Sequence, residues 1–217
     1  MEKPVKVDSL TVGEFQVNCY IARGAGGQAL VIDPGSDLKQ ILAFIRARNV
    51  SVAAYLLTHG HMDHISALAE LQAAAPAPVA MHAEDAEWAF SSANQMPPFY
   101  PVPRRPTEIG RLLKDGQIWQ DAGLTYTIIG TPGHTPGSVC LYFPTEGAVF
   151  SGDTLFAGSV GRTDLPGGEA RALTASLAKL ARLPDTTMVF PGHGPDTDIG
   201  QEKQTNAFMQ GASKWSP

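Results

Sequence analysis

The sequence predicts an α/β fold, and three observations support this class. With 217 residues, of which 43% are hydrophobic and 17% charged, the chain can bury a core as one large domain or two small ones. Short apolar runs typical of strands alternate with segments whose apolar residues have helical spacing. The sequence contains neither an internal repeat nor a low-complexity segment, so this alternation is the feature that sets the class.

In the first half of the chain, predicted strands lead directly into predicted helices. Ser36 is the predicted N-cap of a helix over residues 37–49, whose apolar residues share one face. A second helix is expected from His64 onward. The predicted strands are ALVID (29–33), AAYLLTH (53–59) and the first part of PVAMHAED (78–85).

The segment PPFYPVPRRP (97–106) interrupts this pattern. Its proline density excludes a helix or a central strand and favours an extended connector on the surface. A second interpretation is a lid or wall over a site, with Phe99 and Tyr100 facing a substrate.

The second half is predicted to contain more strands than helices. One helix is expected around residues 169–183, and a short helix is expected at the C-terminal end. The predicted strands are LTYTIIG (124–130), SVCLYF (138–143), GAVFSGD (147–153) and TMVFPGH (187–193).

Composition and charge exclude several functional classes. The net charge of -5 and the absence of a basic stripe argue against a nucleic-acid partner. No apolar run resembles a signal peptide or a membrane span, so we expect a cytoplasmic protein without a membrane partner. Cys19 and Cys140 lie in separate predicted strands and are expected to be buried free thiols. The sequence indicates no oligomeric state.

Side chains that can bind a metal follow four of the predicted strands. The segments are LLTHGHMDH, TIIGTPGH, VFSGD and VFPGH, and each has a small or glycine-containing turn before a ligand-like residue. Of the six histidines, His82 alone lies outside this set and is interpreted as an exposed residue where a strand enters a helix. The candidate ligands are His59, His61, Asp63, His64, His134, Asp153 and His193.

The spacing of the first cluster explains how its side chains converge. Alternate residues of an extended chain point the same way, so His59, His61 and Asp63 can share one side, and the helix that follows turns His64 toward them. Imidazole and carboxylate ligands in this proportion suit zinc first, with iron and manganese as alternatives. Seven ligands exceed the needs of one tetrahedral ion, so we expect two divalent metal ions that share a bridging carboxylate.

The motifs THGHMDH, PGHTPGS, SGDTLF and PGHGP, in this order, resemble those of the metallo-β-lactamase superfamily, and within it the compact glyoxalase II-like hydrolases. VIDPG near the N-terminus fits the same pattern. The resemblance covers almost the whole chain. It implies a single domain over residues 1–217 with an αβ/βα four-layer sandwich, in which two mixed β-sheets are flanked by helices and the metal site lies at one edge.

The resemblance also implies a division of the ligands. His59, His61 and His134 would hold the first metal, and Asp153 would bridge the two ions. Asp63, His64 and His193 would hold the second metal.

The implied reaction is hydrolysis of a thioester of the S-lactoylglutathione type. Two cations would lower the pKa of a bound water from about 15.7 toward 7, and the resulting hydroxide would attack the carbonyl carbon. Asp63 is the candidate proton acceptor. The expected substrate is therefore a small-molecule thioester, and the expected enzyme is a metal-dependent hydrolase.

The loop after Asp153 contains the candidate substrate-binding residues Arg162, Thr163 and Asp164. Glyoxalase II enzymes with two domains bind glutathione here with a lysine and a tyrosine, and with a second tyrosine that is replaced by Pro195 in this sequence. We therefore expect weak recognition of glutathione and tolerance of other thiol carriers.

Several alternatives remain open at this point. GRTD at residues 161–164 resembles the persulfide dioxygenases of the same superfamily, in which the equivalents of His59, His134 and Asp153 bind one iron. A non-catalytic scaffold and a hydrolase of another ester or a lactone rank lower. Antibiotic hydrolysis also ranks lower, because the lactamases usually carry a cysteine in place of Asp153.

Overall fold

Two mixed six-stranded sheets form the centre of the protein, in a computed structural model that describes residues 6–212. In the first sheet the first three strands are antiparallel neighbours, and the remaining strands are added in parallel. Its strands, in spatial order, are β1 (Lys6–Val12), β2 (Val17–Arg23), β3 (Gln28–Ile32), β4 (Ser51–Leu56), β5 (Val79–His82) and β6 (Arg111–Leu113).

The second sheet has the spatial order β14-β13-β10-β9-β8-β7, and only β10 and β13 are parallel. A separate two-stranded sheet pairs β11 (Leu155–Phe156) with β12 (Ser159–Val160). The strands of the second sheet are β7 (Ile118–Asp121), β8 (Leu124–Gly130), β9 (Val139–Phe143), β10 (Ala148–Gly152), β13 (Met188–Pro191) and β14 (Thr197–Asp198).

Helices cover the outer face of each sheet. Helices α1 to α4 belong to the first half of the chain and α5 to α7 to the second. They are α1 (Leu38–Ala47), α2 (Met62–Ile65), α3 (Leu68–Ala74), α4 (Ala83–Trp88), α5 (Ala170–Leu180), α6 (Ile199–Thr205) and α7 (Ala207–Ala212).

Three apolar clusters separate the layers. The central cluster lies between the two sheets and contains the fully buried rings of Tyr126, Phe143 and Phe150. A second cluster joins the first sheet to α1 and α3, and a third joins the second sheet to α5, α6 and α7. The predicted αβ/βα four-layer sandwich is therefore confirmed, because each sheet buries both of its faces.

Some local predictions need correction. Helix α1 begins after Asp37, which adopts a left-handed conformation with φ of 59° and makes no side-chain cap, so the predicted N-cap at Ser36 is wrong. The helix expected from His64 onward is two short helices, α2 and α3. Glu169 caps α5 by accepting hydrogen bonds from the backbone N–H groups of Arg171 and Ala172.

The proline-rich segment contains no helix among its described residues, as predicted. Its aromatic residues differ in environment, because Tyr100 is buried and Phe99 is 54% exposed. Cys19 and Cys140 are free and buried, as predicted. Residues 1–5 and 213–217 of the predicted domain lie outside the described part of the chain. Within that part, no helix is both long and apolar enough to cross a bilayer.

Candidate metal centre

The segments that follow four strands bring the seven candidate ligands to one edge of the sandwich. Residues after β4 supply the first cluster, which runs into helix α2, and residues after β8, β10 and β13 supply His134, Asp153 and His193. Two groups consist of these candidates alone, and within each group all of the ligand atoms lie within 4.8 Å of one another. The first group is His59, His61 and His134, and the second is Asp63, His64 and His193. A third group at the same distance combines Asp33 with His59 and His64.

Asp153 contacts both groups. Its Oδ2 lies 3.5 Å from Nε2 of His134 in the first group and 3.6 Å from Nε2 of His193 in the second. Its Oδ1 lies 3.4 Å from Nε2 of His64. Gly192 permits this approach, because a Cβ at that position would collide with Oδ1 of Asp153. The position of Asp153 is thus the one that a bridging carboxylate requires.

Four of the five imidazoles are oriented by a hydrogen bond at Nδ1. In each case an oxygen acceptor favours a proton on Nδ1, so Nε2 is the ring atom that remains for the centre of the site. The pairs are His59 with Thr58 Oγ1 at 3.1 Å, His64 with Asp33 Oδ2 at 3.1 Å, His134 with the Arg162 carbonyl at 2.8 Å, and His193 with the Phe15 carbonyl at 2.9 Å.

Two buried atoms in this site have no hydrogen-bond partner in the described structure, Nε2 of His59 and Oδ1 of Asp153. Buried polar atoms are almost always paired, so these two atoms indicate a missing partner. A cation in each ligand group would satisfy both, and mixed imidazole and carboxylate donors suit zinc, iron or manganese. The residues present therefore fit metal ions.

The electrostatics of the ligands favour a cation. Burial, together with the neighbouring imidazoles, lowers the pKa of His59 and brings the pKa of His61 to about 4, so both rings are neutral at physiological pH. Burial opposes ionisation of Asp63 and Asp153, but His64 and the other nearby histidines hold the pKa of each carboxyl below its usual value. The site therefore holds two ionised carboxylates beside the neutral rings of His59 and His61.

The pKa values of His64 and His193 shift in the opposite direction, upward. Burial acts to lower the pKa of each ring, but the carboxylates of Asp63 and Asp153 raise both above the ordinary histidine value. Protons therefore compete with a metal ion for the second ligand group more than for His59 and His61.

Asp33 is a functional residue that the sequence prediction missed. Its carboxylate accepts hydrogen bonds from the backbone N–H and the hydroxyl of Thr58, at 2.8 and 2.6 Å, as well as from His64. It thereby supports one ring in each ligand group, since Thr58 in turn orients His59. The signal was present, because Asp33 follows the strand ALVI in the same way that Asp153 follows its own strand.

Asp85 is a second missed residue, and it connects the loops that carry the first ligand group. Its buried carboxylate accepts hydrogen bonds from the backbone N–H of Gly60 and of Gly137, both at 2.8 Å, and from the hydroxyl of Thr135 at 2.7 Å. Burial raises the pKa of this carboxyl. Asp85 belongs to helix α4, and no local pattern in the sequence indicated this role.

The candidate substrate-binding residues lie on the loop beside His134. Arg162 and Asp164 form an exposed bidentate ion pair with both contacts at 2.7 Å, and this pair lowers the pKa of Asp164 to about 2. The Arg162 carbonyl holds His134, whereas its guanidinium points away to Asp164. Thr163, between them, is half-buried. His82 is also half-buried and caps α4, because its Nδ1 accepts a hydrogen bond from the N–H of Glu84.

A cleft of about 340 Å³ opens beside the first ligand group. His61 forms part of its wall, and the ring of Trp88 lies 5.4 Å from the His61 ring between centroids. Met62, Met96 and Leu165 contribute further apolar surface. A molecule bound here would have one end next to the metal ligands.

Comparison with protein families gives a match to the model of the metallo-beta-lactamase superfamily over residues 12–193. Probable metallo-hydrolase YqgX of Bacillus subtilis is 37% identical over 209 residues, which cover 94% of this chain and 97% of the relative. Hydroxyacylglutathione hydrolase GloC of Haemophilus influenzae is 32% identical over 216 residues, which cover 96% of this chain and 100% of the relative.

Solved structures are similar over the same extent. BLEG-1 B3 metallo-beta-lactamase has a TM-score of 0.89 and 34% identity, with 94% of this chain and 99% of that chain covered. TTHA1623 in a di-iron-bound form has a TM-score of 0.82 and 40% identity, with 93% and 100% covered. ETHE1 from Myxococcus xanthus has a TM-score of 0.75 and 26% identity, with 98% and 92% covered.

Proposed function

The chain belongs to the metallo-beta-lactamase superfamily, and we propose that within it this protein hydrolyses thioesters of the S-lactoylglutathione type. Members of the superfamily are generally metal-dependent hydrolases, and the ligand clusters fit that role. The observation that carries the proposal is the contact of Asp153 with two complete three-ligand groups.

In this proposal His59, His61 and His134 would hold the first metal, and Asp63, His64 and His193 would hold the second. Asp153 would be a ligand of both ions. When bound, the two cations would lower the pKa of water from about 15.7 toward 7 and polarise the substrate carbonyl.

Asp63 is the proposed proton acceptor. Its side chain is 10% exposed, and its Oδ2 lies 3.4 Å from Nε2 of His193. The Asp63 carboxylate therefore lies within the site, and its contact with His193 fixes its position. Because the histidines hold its pKa low, Asp63 is ionised at neutral pH and can take the proton that the water releases.

A thioester suits these residues better than an amide. The departing thiolate needs little general acid catalysis, whereas an amine leaving group needs a proton. A cysteine nucleophile is not available, because burial raises the pKa of Cys19 and brings that of Cys140 to about 11. The relative named hydroxyacylglutathione hydrolase supports the same substrate class.

A persulfide dioxygenase is the second candidate, because GRTD at residues 161–164 resembles that class. In this alternative His59, His134 and Asp153 would suffice for one iron. The Nδ1 hydrogen bonds of His64 and His193 argue for the hydrolase, because they prepare a second ligand group that one iron does not need.

The experiment that tests the proposal is a substrate panel on the purified, metal-loaded protein. We expect thiol release from S-lactoylglutathione and from the same acyl group on a simpler thiol, with no oxygen consumption on glutathione persulfide. Oxygen consumption without thioester cleavage would establish the dioxygenase instead. A β-lactam belongs in the panel, because BLEG-1 is described as a B3 metallo-beta-lactamase; cleavage of it alone would reject the thioesterase.

We also propose that a small molecule is the only class of substrate, with neither nucleic acid nor membrane as partner. The support is the acidic composition of the chain, with a net charge of -5.

A further inference from the structure

We infer that the cleft beside His61 binds the acyl group of the substrate and selects apolar acyl groups. This inference rests on the proposed thioesterase function and names the substrate class within it. Met62 and the ring of Trp88 form the wall next to His61, and Met96, Pro136 and Leu165 lie around them. The volume of about 340 Å³ lies within the usual range for small-molecule sites.

The cleft opens directly on the ligand group. His61 belongs both to the first set of metal ligands and to the cleft wall, and Met62, the next residue, is 9% exposed. Pro136 follows His134 by two residues and contributes to the cleft from another loop. A thioester whose carbonyl lies at the metal ligands would therefore place one of its two substituents in this cleft.

The charge of the cleft decides which substituent that is. Among the described residues that line it, none is aspartate, glutamate, lysine or arginine. Biological thiol carriers such as glutathione carry carboxylates or phosphates, which need cationic partners when they leave water. Arg162, three residues before the cleft residue Leu165, is already paired with Asp164. Burying the acyl group in the cleft therefore costs less desolvation free energy than burying the charged thiol carrier.

The buried side chain of Asn94 fixes the backbone segments that form the cleft. Its side-chain oxygen accepts a hydrogen bond from the N–H of Met62 at 3.0 Å, and its amide donates to the carbonyls of Gly60 and Ala89 at 2.8 and 2.6 Å. All polar atoms of this amide group are directed into backbone rather than into the cleft. Two methionines in the wall add adaptability, because their unbranched side chains repack around differently shaped apolar groups.

The first test compares acyl groups on one neutral thiol. Acetyl, hexanoyl and succinyl thioesters of N-acetylcysteamine share the leaving group and differ only in the acyl part. Each buried methylene can raise kcat/KM up to about fourfold. We therefore expect hexanoyl to exceed acetyl by about tenfold or more, with succinyl the poorest substrate. Equal values for all three, or a preference for succinyl, would overturn the inference.

Two substitutions in the cleft test whether its lining causes this selectivity for apolar acyl groups. Trp88→Ala should lower the ratio of hexanoyl to acetyl kcat/KM about tenfold. Met96→Lys, at a position that is 40% exposed, should raise the ratio of succinyl to hexanoyl about tenfold, because it offers the acyl carboxylate a cation. Trp119→Ala, on strand β7 and outside the cleft, is the matched control and should leave both ratios within about twofold. Unchanged ratios in both cleft variants would overturn the assignment.

A binding measurement separates this inference from the proposed function. S-hexyl-N-acetylcysteamine, a thioether that cannot be hydrolysed, should bind the wild-type protein at least about tenfold more tightly than the S-methyl analogue, and Trp88→Ala should abolish that difference. If the protein hydrolyses no thioester yet shows this binding, the proposed function fails and the apolar site stands. If thioesters are hydrolysed but the two thioethers bind equally, the inference alone fails.

Discussion

The imidazole of His64 donates a hydrogen bond from Nδ1 to Oδ2 of Asp33 at 3.1 Å, with both side chains at most 2% exposed. Asp33 accepts two further hydrogen bonds from Thr58, so its carboxylate is fully engaged within the protein. This contact leaves Nε2 of His64 directed at Asp153. An aspartate that binds no metal in the proposed assignment thereby orients the ligands that do.

We predict that Asp33→Asn weakens the second metal site. Asparagine tolerates the backbone of this position, which has a positive φ of 46°, but it places an amide NH₂ group where an oxygen of Asp33 accepts a hydrogen bond from His64 or Thr58. Metal affinity should fall about 10- to 100-fold, and the free energy of unfolding by about 1–3 kcal/mol. Chelator competition and urea unfolding measure the two quantities, and an unchanged metal affinity would exclude the orienting role.

Asp85→Asn should affect the first ligand group in particular. The substituted amide faces either the Gly137 N–H, in place of Oδ1, or both the Gly60 N–H and the Thr135 hydroxyl, in place of Oδ2. At least one of these donors loses its acceptor, and this costs about 1–3 kcal/mol of stability. Because Gly60 lies between His59 and His61, and Gly137 lies shortly after His134, metal affinity should fall as well.

Glu202→Gln is a matched control for that variant. Glu202 is another buried carboxylate that accepts hydrogen bonds from the Gly158 N–H and the Thr197 hydroxyl, and it contacts none of the proposed ligands. The Glu202→Gln variant should have a lower free energy of unfolding than the wild-type protein but the same metal affinity. Equal effects of the two substitutions on metal affinity would show that Asp85 has only a structural role.

Local patterns in the sequence predicted the α/β class and the convergence of the histidines, whereas the four-layer sandwich was implied by the resemblance of the motifs to the metallo-β-lactamase superfamily. Strand ends that carry ligands, such as those before His134 and His193, can be recognised along the chain. Asp85 could not be recognised in this way, because its three donors come from loops that meet only in the folded protein. The cap of α1 was misplaced by one residue because Asp37 adopts a left-handed backbone, which aspartate tolerates but which its type does not require.

The free energy of unfolding of the metal-free protein should depend on pH, in part because of His61. Burial, with a contribution from His134, brings the folded-state pKa of His61 to about 4, whereas the unfolded value is about 6.5. Between these values the unfolded state binds more protons, so acidification removes stability, by at most about 1.4 kcal/mol per pH unit for one group.

His61→Gln tests that dependence. The variant lacks the titrating ring, so on acidification from about pH 6.5 to about pH 4 it should lose less stability than the wild-type protein. Urea unfolding in a chelator across this interval measures the difference. Parallel curves for the two proteins would show that His61 is not held neutral by burial.

The pair of Arg162 and Asp164 gives a prediction about glutathione. If Arg162 binds a carboxylate of the carrier, Asp164 competes with that carboxylate for the same guanidinium. Asp164→Ala should then lower KM for S-lactoylglutathione by about two- to fivefold, and Arg162→Ala should raise it by a similar factor, as expected for exposed ion pairs. The same acyl group on N-acetylcysteamine is the control substrate. Identical shifts for both carriers would remove Arg162 from carrier recognition.

Asp153 is proposed to be a ligand of two metal ions in a hydrolytic site. The metal content per chain of the zinc-loaded wild-type protein and of Asp153→Ala, taken on the samples used for thioester hydrolysis, tests this role most directly. We predict about two ions per wild-type chain and the loss of both occupancy and turnover in the variant. A wild-type chain that holds one ion, or an Asp153→Ala variant that keeps two ions and full thioesterase activity, would show that Asp153 does not have this role.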